Sequence, residues 1–283
     1  MFRSPATIAL VLTALTAAAD GKAGEPKAGA VPWSAAKDSG WKELEPGLEL
    51  REEELDWKRQ EADQAALVNL RIAAVRLDAK LFALRVVMNP VKDGRNLADV
   101  AKAEKAVAAS NGAYFGTKDE PVTLLVSGGK ALTRLNKNLP RGGVFTLDEK
   151  GRAAVVPVAD FKSPRDGLDF VVQNSPLLVA GGKVIFKDPQ PARHRRTAIG
   201  VDADGRTVLA VCGSAVTLDE WAAVLTSRAD GGLGLTSALN LDGGPSTGLA
   251  VEHEKAKVDV PAGRIIPQVL AILRREKPLP AER

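Results

Sequence analysis

"RTAIGVDADGRTVLAVC", residues 196–212, consists of two short runs rich in apolar and β-branched residues, separated by Asp202-Ala203-Asp204-Gly205. Asp and Gly accept turn conformations that other residues avoid, so the stretch reads as two antiparallel strands with Asp202 and Asp204 in the turn. The pattern recurs in "TLLVSGGKAL" (123–132), "GVFTLDEKGRAAVVPV" (143–158) and "SPLLVAGGKVIF" (175–186). Further strand-like runs occupy 67–78, 81–88, 238–242 and 247–253. Only two helices stand out. Residues 97–108 place Leu97, Val100, Ala101, Ala103 and Val107 mostly on one face. Residues 218–229 follow Thr217-Leu218-Asp219-Glu220, a capping box, and carry Trp221, Val224 and Leu225. Many hairpins and few helices predict an α+β fold of mixed, mainly antiparallel sheets, in a single domain, rather than a doubly wound parallel sheet.

At the N-terminus, Arg3, the small or apolar run Ala6–Ala19 and Ala17-Ala18-Ala19 before Asp20 have the form of a secretory signal peptide over 1–19. Residues 20–38, rich in Gly, Pro, Ala and Lys, read as a flexible lead-in. The folded domain is expected over 39–275, with 276–283 as a loose tail. The mature chain is expected to be exported, to periplasm or extracellular space, without membrane insertion. The net charge of +4, from 39 basic and 35 acidic residues, is too small and too dispersed to indicate nucleic-acid binding. Cys212 is the only cysteine, which excludes an intramolecular disulfide, and it reads as a buried apolar residue. With two histidines and no Cys-x-x-Cys, a zinc site is not expected. "GGLGLTS" (231–237) narrowly fails the dinucleotide fingerprint. No cofactor is expected, which leaves Ca²⁺ or Mg²⁺ on Asn240 and Asp242 as an open alternative.

"NLDGGPSTGLAV", residues 240–251, contains Gly244-Pro245-Ser246-Thr247-Gly248, a literal match to the serine-hydrolase elbow. That elbow joins a strand to a helix, and its triad continues with an acid and then a histidine. Here the following residues alternate like a strand, and His253 is the only later histidine. Ser246 is therefore not expected to be a nucleophile. The stretch reads instead as a strand ending at Asp242, a Gly243-Gly244 turn that allows close backbone approach, and a return strand whose Ser246, Thr247 and amides face an anion. Tyr114, Phe115 and His253 read as core or ordinary strand residues.

"NLDGGPSTGL", taken with "SNGAYF" (110–115), "SPLLVAGGKVIF" and "RRTAIGVDADGR" (195–206), resembles the phosphodiester glycosidase family in order and spacing from about Trp41 to residue 274. The family pattern falls on Asn111, Arg196, Asp242, Gly243, Gly244, Ser246 and Thr247. This chain departs from it at Asn174-Ser175-Pro176, where a glycine commonly precedes the proline. The resemblance implies hydrolysis of a sugar-1-phosphodiester to free sugar and phosphomonoester. In that reading Arg196 grips the phosphate with Ser246, Thr247 and His194, Asp242 acts at the anomeric carbon or on water, and Asn111 orients the substrate. The low aromatic content of 4% favours a small sugar phosphodiester or a glycan end over a long polysaccharide. Two other functions use the same residues: a non-catalytic binding domain for anionic cell-envelope polysaccharide, and a divalent-metal phosphodiesterase.

Overall fold

The computed structural model describes residues 32–280 apart from 39, 62–63, 163–166, 190 and 230. The expected signal peptide and most of the lead-in lie outside the described residues. The chain opens in an antiparallel ribbon of β1 (Trp33–Asp38), β2 (Lys42–Glu45), β3 (Leu48–Glu61) and β4 (Gln64–Leu77). It then places β5 (Phe82–Met88), α1 (Leu97–Ala103) and β6 (Ala108–Asn111) on a second sheet. A third sheet takes β7 (Leu125–Ser127), β8 (Lys130–Ala131), β9 (Gly143–Asp148), β10 (Ala153–Pro157) and β11 (Leu168–Asn174). The chain returns to the first sheet in β12 (Leu177–Ala180), β13 (Lys183–Val184), β14 (His194–Val201) and β15 (Thr207–Val216), followed by α2 (Leu218–Thr226) and β16 (Ser237–Asn240). It finishes on the second in β17 (Leu249–His253), β18 (Ala256–Val260) and β19 (Gln268–Arg274).

The large sheet has nine strands in the order β1-β3-β4-β15-β14-β16-β12-β13, with β2 beside β3. The other two have five each, β10-β9-β11-β7-β8 and β18-β17-β6-β19-β5. The strand pairings are antiparallel. The 196–212 hairpin forms as read, with Val201 opposite Thr207 and Asp202 Oδ1 accepting from the amides of Asp204 and Arg206.

Alternation along the strands divides the core. Ile199, Val201, Leu209, Val211 and Leu239 face a central cluster that also takes Leu84, Phe145, Phe170 and Leu270 from the other two sheets. Ala198, Ala210, Cys212 and Ala238 face the opposite side, where Trp221, Val224 and Leu225 of α2 cover the large sheet. α1 covers the outer face of the second sheet through Leu97, Val100 and Ala101. Burial pushes the Cys212 thiol up to about 12, consistent with a packing role.

Four expectations need correction. The fold is mainly β rather than α+β, because the two helices of seven and nine residues only cap sheet faces. The 97–108 helix ends at Ala103: Lys105 turns left-handed (φ 54°) and 108–111 becomes the central strand β6. The second helix stops at Thr226. The end of the lead-in is strand β1, where Trp33 stacks on Trp57 with ring centroids 4.7 Å apart.

Candidate functional site

The expected hairpin at 240–251 is not one. β16 lies in the large sheet and β17 in the second, so Leu241–Gly248 is a crossing between sheets. A one-turn 3₁₀ helix, Gly244–Ser246, makes the bend, with Gly244 left-handed at φ 59°. Gly243 packs where a Cβ would stand 3.0 Å from the Arg195 carbonyl. The amide of Gly263 fastens the neighbouring loop to the bend through Pro245 O at 2.7 Å.

Asn111, the last residue of β6, is fully buried and holds the crossing in place. Its Nδ2 donates to Asp242 O at 2.8 Å. Its Oδ1 accepts from Thr197 Oγ1 at 2.8 Å and Gly248 N at 3.1 Å. Both ends of the amide are thus committed inside the protein, and the expected contact with substrate is replaced by one that fixes the Asp242 backbone. Gly112 supports the same point, since its carbonyl accepts the Asp242 amide at 3.2 Å.

Asp242 follows from Asn240 and Ala198 on the outer side of the large sheet, two residues past the strand pairing of Ala198 with Asn240. It is partly buried, and its Oδ1 accepts from Gly243 N at 2.9 Å. Burial raises its pKa; the Ser246 hydroxyl, the Gly243 amide and the charge of Arg264 oppose that rise. Ser246 is buried, 4% exposed, at the end of the 3₁₀ turn, and a strand rather than a helix follows it.

Arg196 lies on the same face, 9% exposed. Its Nε donates to Val216 O at 3.1 Å and its Nη2 to Ala192 O at 2.6 Å. These bonds use one edge of the guanidinium and, among the described residues, leave Nη1 and the end-on edge without a hydrogen-bond partner, the edge suited to a bidentate oxyanion contact. Burial lowers its pKa, opposed by Tyr114, Asp188, Cys212 and Glu220.

Tyr114 completes the group and was not legible as a site residue. Its hydroxyl donates to Ser175 O at 2.7 Å, and Asn240 Nδ2 reaches it at 3.4 Å. Burial and then the Asp242 charge raise its pKa, while Arg196 and Asn240 oppose. Arg264 stands at the rim, with its guanidinium 4.6 Å from the Phe115 ring centre and 3.3 Å from Asp119 Oδ1. The sequence signal for both is proximity: Tyr114 and Phe115 follow Asn111 by three and four residues, and Arg264 follows the glycine bonded to Pro245.

Of the other expected contacts, the amides of Ser246 and Thr247 and the Thr247 hydroxyl are enclosed within the protein. The amides of Ser246 and Thr247 are spent on Gly243 O and Gly244 O inside the turn. Thr247 is fully buried, its hydroxyl sealed from solvent. His194 is exposed at the first position of β14, opposite Val216. His253 is not a solvated strand residue, for its side chain is 3% exposed beside Glu45. Glu220 caps α2 and also pairs with Arg59 at 2.7 Å. Asn240 and Asp242 are the oxygens that a cation would use, but Asn240 Oδ1 is buried. Among the described residues no three His, Cys, Asp or Glu side chains converge on one point.

A partly buried carboxylate and a buried arginine, set at a strand end by bonds from two sheets, define a class: mainly-β proteins with a polar site built around one acid. The chain belongs to the phosphodiester glycosidase family, whose model matches residues 104–273. No curated protein matches the chain. In structure it is similar to the catalytic domain of zebrafish N-acetylglucosamine-1-phosphodiester alpha-N-acetylglucosaminidase, auto-inhibited by its pro-peptide: TM-score 0.63, 18% identity, over 87% of this chain and 89% of that one. It is also similar to a hypothetical protein from Synechocystis, with TM-score 0.56 and 15% identity, over 87% of this chain and 64% of that one. At these identities the likeness is one of fold.

Proposed function

We propose that the protein hydrolyses a sugar-1-phosphodiester to free sugar and phosphomonoester. The observation that carries the reading is that a partly buried carboxylate, Asp242, and a buried guanidinium, Arg196, both lie close enough to Tyr114 for their charges to act on its hydroxyl. A phosphomonoester has a second pKa of about 6 and leaves C1 with little protonation. The site therefore needs an anion grip and one carboxylate, rather than the two carboxylates of an ordinary glycosidase. Arg196 holds the phosphate end-on. Asp242 stabilises the oxocarbenium-like carbon or takes a proton from water. The C1–O bond breaks with its electron pair on the phosphate oxygen, and water supplies the new C1 oxygen. Ser246 holds the carboxylate, Asn111 positions its backbone, Gly243 allows the bend to pack against β14, and Gly244 leaves the approach open.

The substrate is a small sugar phosphodiester or a glycan end. The leader-like N-terminus supports an exported protein. The described residues contain no helix long and apolar enough to cross a membrane.

Hydrolysis in ¹⁸O-labelled water, with products weighed by mass spectrometry, tests the reaction. Label on the sugar is the expected result. Label on phosphate transfers Asp242 to chemistry at phosphorus, and no turnover of any sugar-1-phosphodiester, with binding retained, makes the protein a recognition domain.

A further inference from the structure

Two surface cavities of about 480 and 430 Å³ share Arg141, Gly142 and Pro157 and so form one groove. One end is walled by Leu139, Val158 and Phe161. The other is walled by Leu177, Ile185 and Phe186. Gly142 leaves no room for a side chain, since a Cβ would meet Val158 Cγ2 at 2.9 Å and Leu139 O at 3.0 Å. Ile185 is 54% exposed, an unusual place for a large aliphatic side chain beside a recess.

The polar lining is one-sided. Lys137, Arg141 and Lys187 are cations, and the described lining residues contribute no Asp, Glu, Asn, Gln, Ser or Thr side chain. Arg141 lies over the Phe186 ring at 5.4 Å. A sugar or polyol needs side-chain acceptors for its hydroxyls, which this groove lacks. A hydrocarbon chain attached to a phosphate needs an apolar wall and cations, which it has.

The wall of the groove is bonded to the candidate site through Ser175 and Leu177. The Ser175 hydroxyl donates to Pro140 O at 2.7 Å, and Leu177 N donates to Arg141 O at 2.9 Å. The Ser175 carbonyl accepts from Tyr114 and Asn240. Lys187 precedes Asp188, whose charge acts on Arg196.

We infer that the groove between Phe161 and Phe186 seats an apolar chain esterified to the far side of the phosphate, which makes the substrate an amphiphilic sugar-1-phosphodiester. The inference rests on the function proposed above. Arg141 and Lys187 hold the alkyl phosphate as it gains its second negative charge on release.

The test is calorimetric titration of octyl phosphate, below its micelle concentration, and of methyl phosphate into the protein. Each fully buried methylene is worth about three- to fourfold in affinity. Octyl phosphate is expected to bind at least about tenfold tighter than methyl phosphate, because the chain is partly covered. Ile185→Ser and Phe186→Ala are expected to shrink that ratio, each checked for an unchanged melting profile. Equal affinities, or a ratio untouched by both substitutions, overturn the inference. Turnover of methyl and octyl sugar-1-phosphodiesters separates the two ideas. Chain-dependent binding with no hydrolysis keeps the groove and removes the reaction, whereas equal hydrolysis of both diesters that Ile185→Ser leaves unchanged keeps the reaction and removes the groove.

Discussion

Asp242 is held in a place that costs the protein stability. Its pKa is raised in the folded state from 3.8, so the folded state binds more protons than the unfolded one between the two values. Stability therefore falls as pH rises through that window, and the loss persists at neutral pH. Asp242→Asn is expected to raise Tm at pH 7 while lowering kcat by about a thousandfold, as for loss of a transition-state electrostatic group. Calorimetry beside a turnover assay checks both signs. Ser246→Ala removes an interaction that lowers the Asp242 pKa. The acid limb of the pH–kcat profile is then expected to move to higher pH, with a loss of about 10- to 200-fold. A fall of about a millionfold would instead mark Ser246 as a nucleophile. Asn111→Ala strands the Thr197 hydroxyl, the Gly248 amide and the Asp242 carbonyl, for which about 3 kcal/mol of unfolding free energy is expected to be lost in a urea titration. The motif was enough to single out Asp242, Arg196 and Ser246, and to read the chain after Ser246 as a strand rather than the helix of an elbow. The direction in which Asn111 and Thr247 face was not, because a motif records spacing along the chain, whereas their burial comes from two sheets closing over them.

At the scale of elements, turn grammar served where partners are local. Asp202-Ala203-Asp204-Gly205 made its hairpin because both strands belong to one sheet. Asp242-Gly243-Gly244 looks the same in sequence and instead carries the chain between sheets, since the pairing of β16 with β14 and of β17 with β6 is decided by residues far away. Helix propensity failed in the same way past Ala103, where Lys105 turns the chain out of the helix and Ala108 and Ala109, alanines suited to a helix, enter a central strand. β6 is flanked by β17 and β19 and buried throughout, which suits its small residues. Gly200 marks another close approach: a Cβ there would stand 2.4 Å from Ser237 O. Gly200→Ala is expected to cost about 1–3 kcal/mol, measured as a lower urea midpoint with an unchanged slope.

The whole molecule is a large sheet closed over two smaller ones around a shared core, and the predominance of antiparallel pairing was readable from the hairpins. The overstatement of helix arose because two well-capped amphipathic segments are conspicuous in sequence, whereas the nineteen strands among the described residues divide into short, individually weak signals. The proposed one-carboxylate mechanism needs no ion at this site. Exhaustive chelation followed by dialysis is expected to leave turnover unchanged, and activity restored only by added Ca²⁺ or Mg²⁺ would move the site to metal chemistry.

The Asn111 cross-brace ties Gly248, 137 residues away, to Thr197, 86 residues away, and Arg59 reaches Glu220 across 161. Such distant closures make folding slow, because chain entropy is lost before the contacts that compensate for it appear. Activity should therefore return only in the last refolding phase, after most strand signal has recovered. A nascent or partly folded chain would carry every motif and be unable to act.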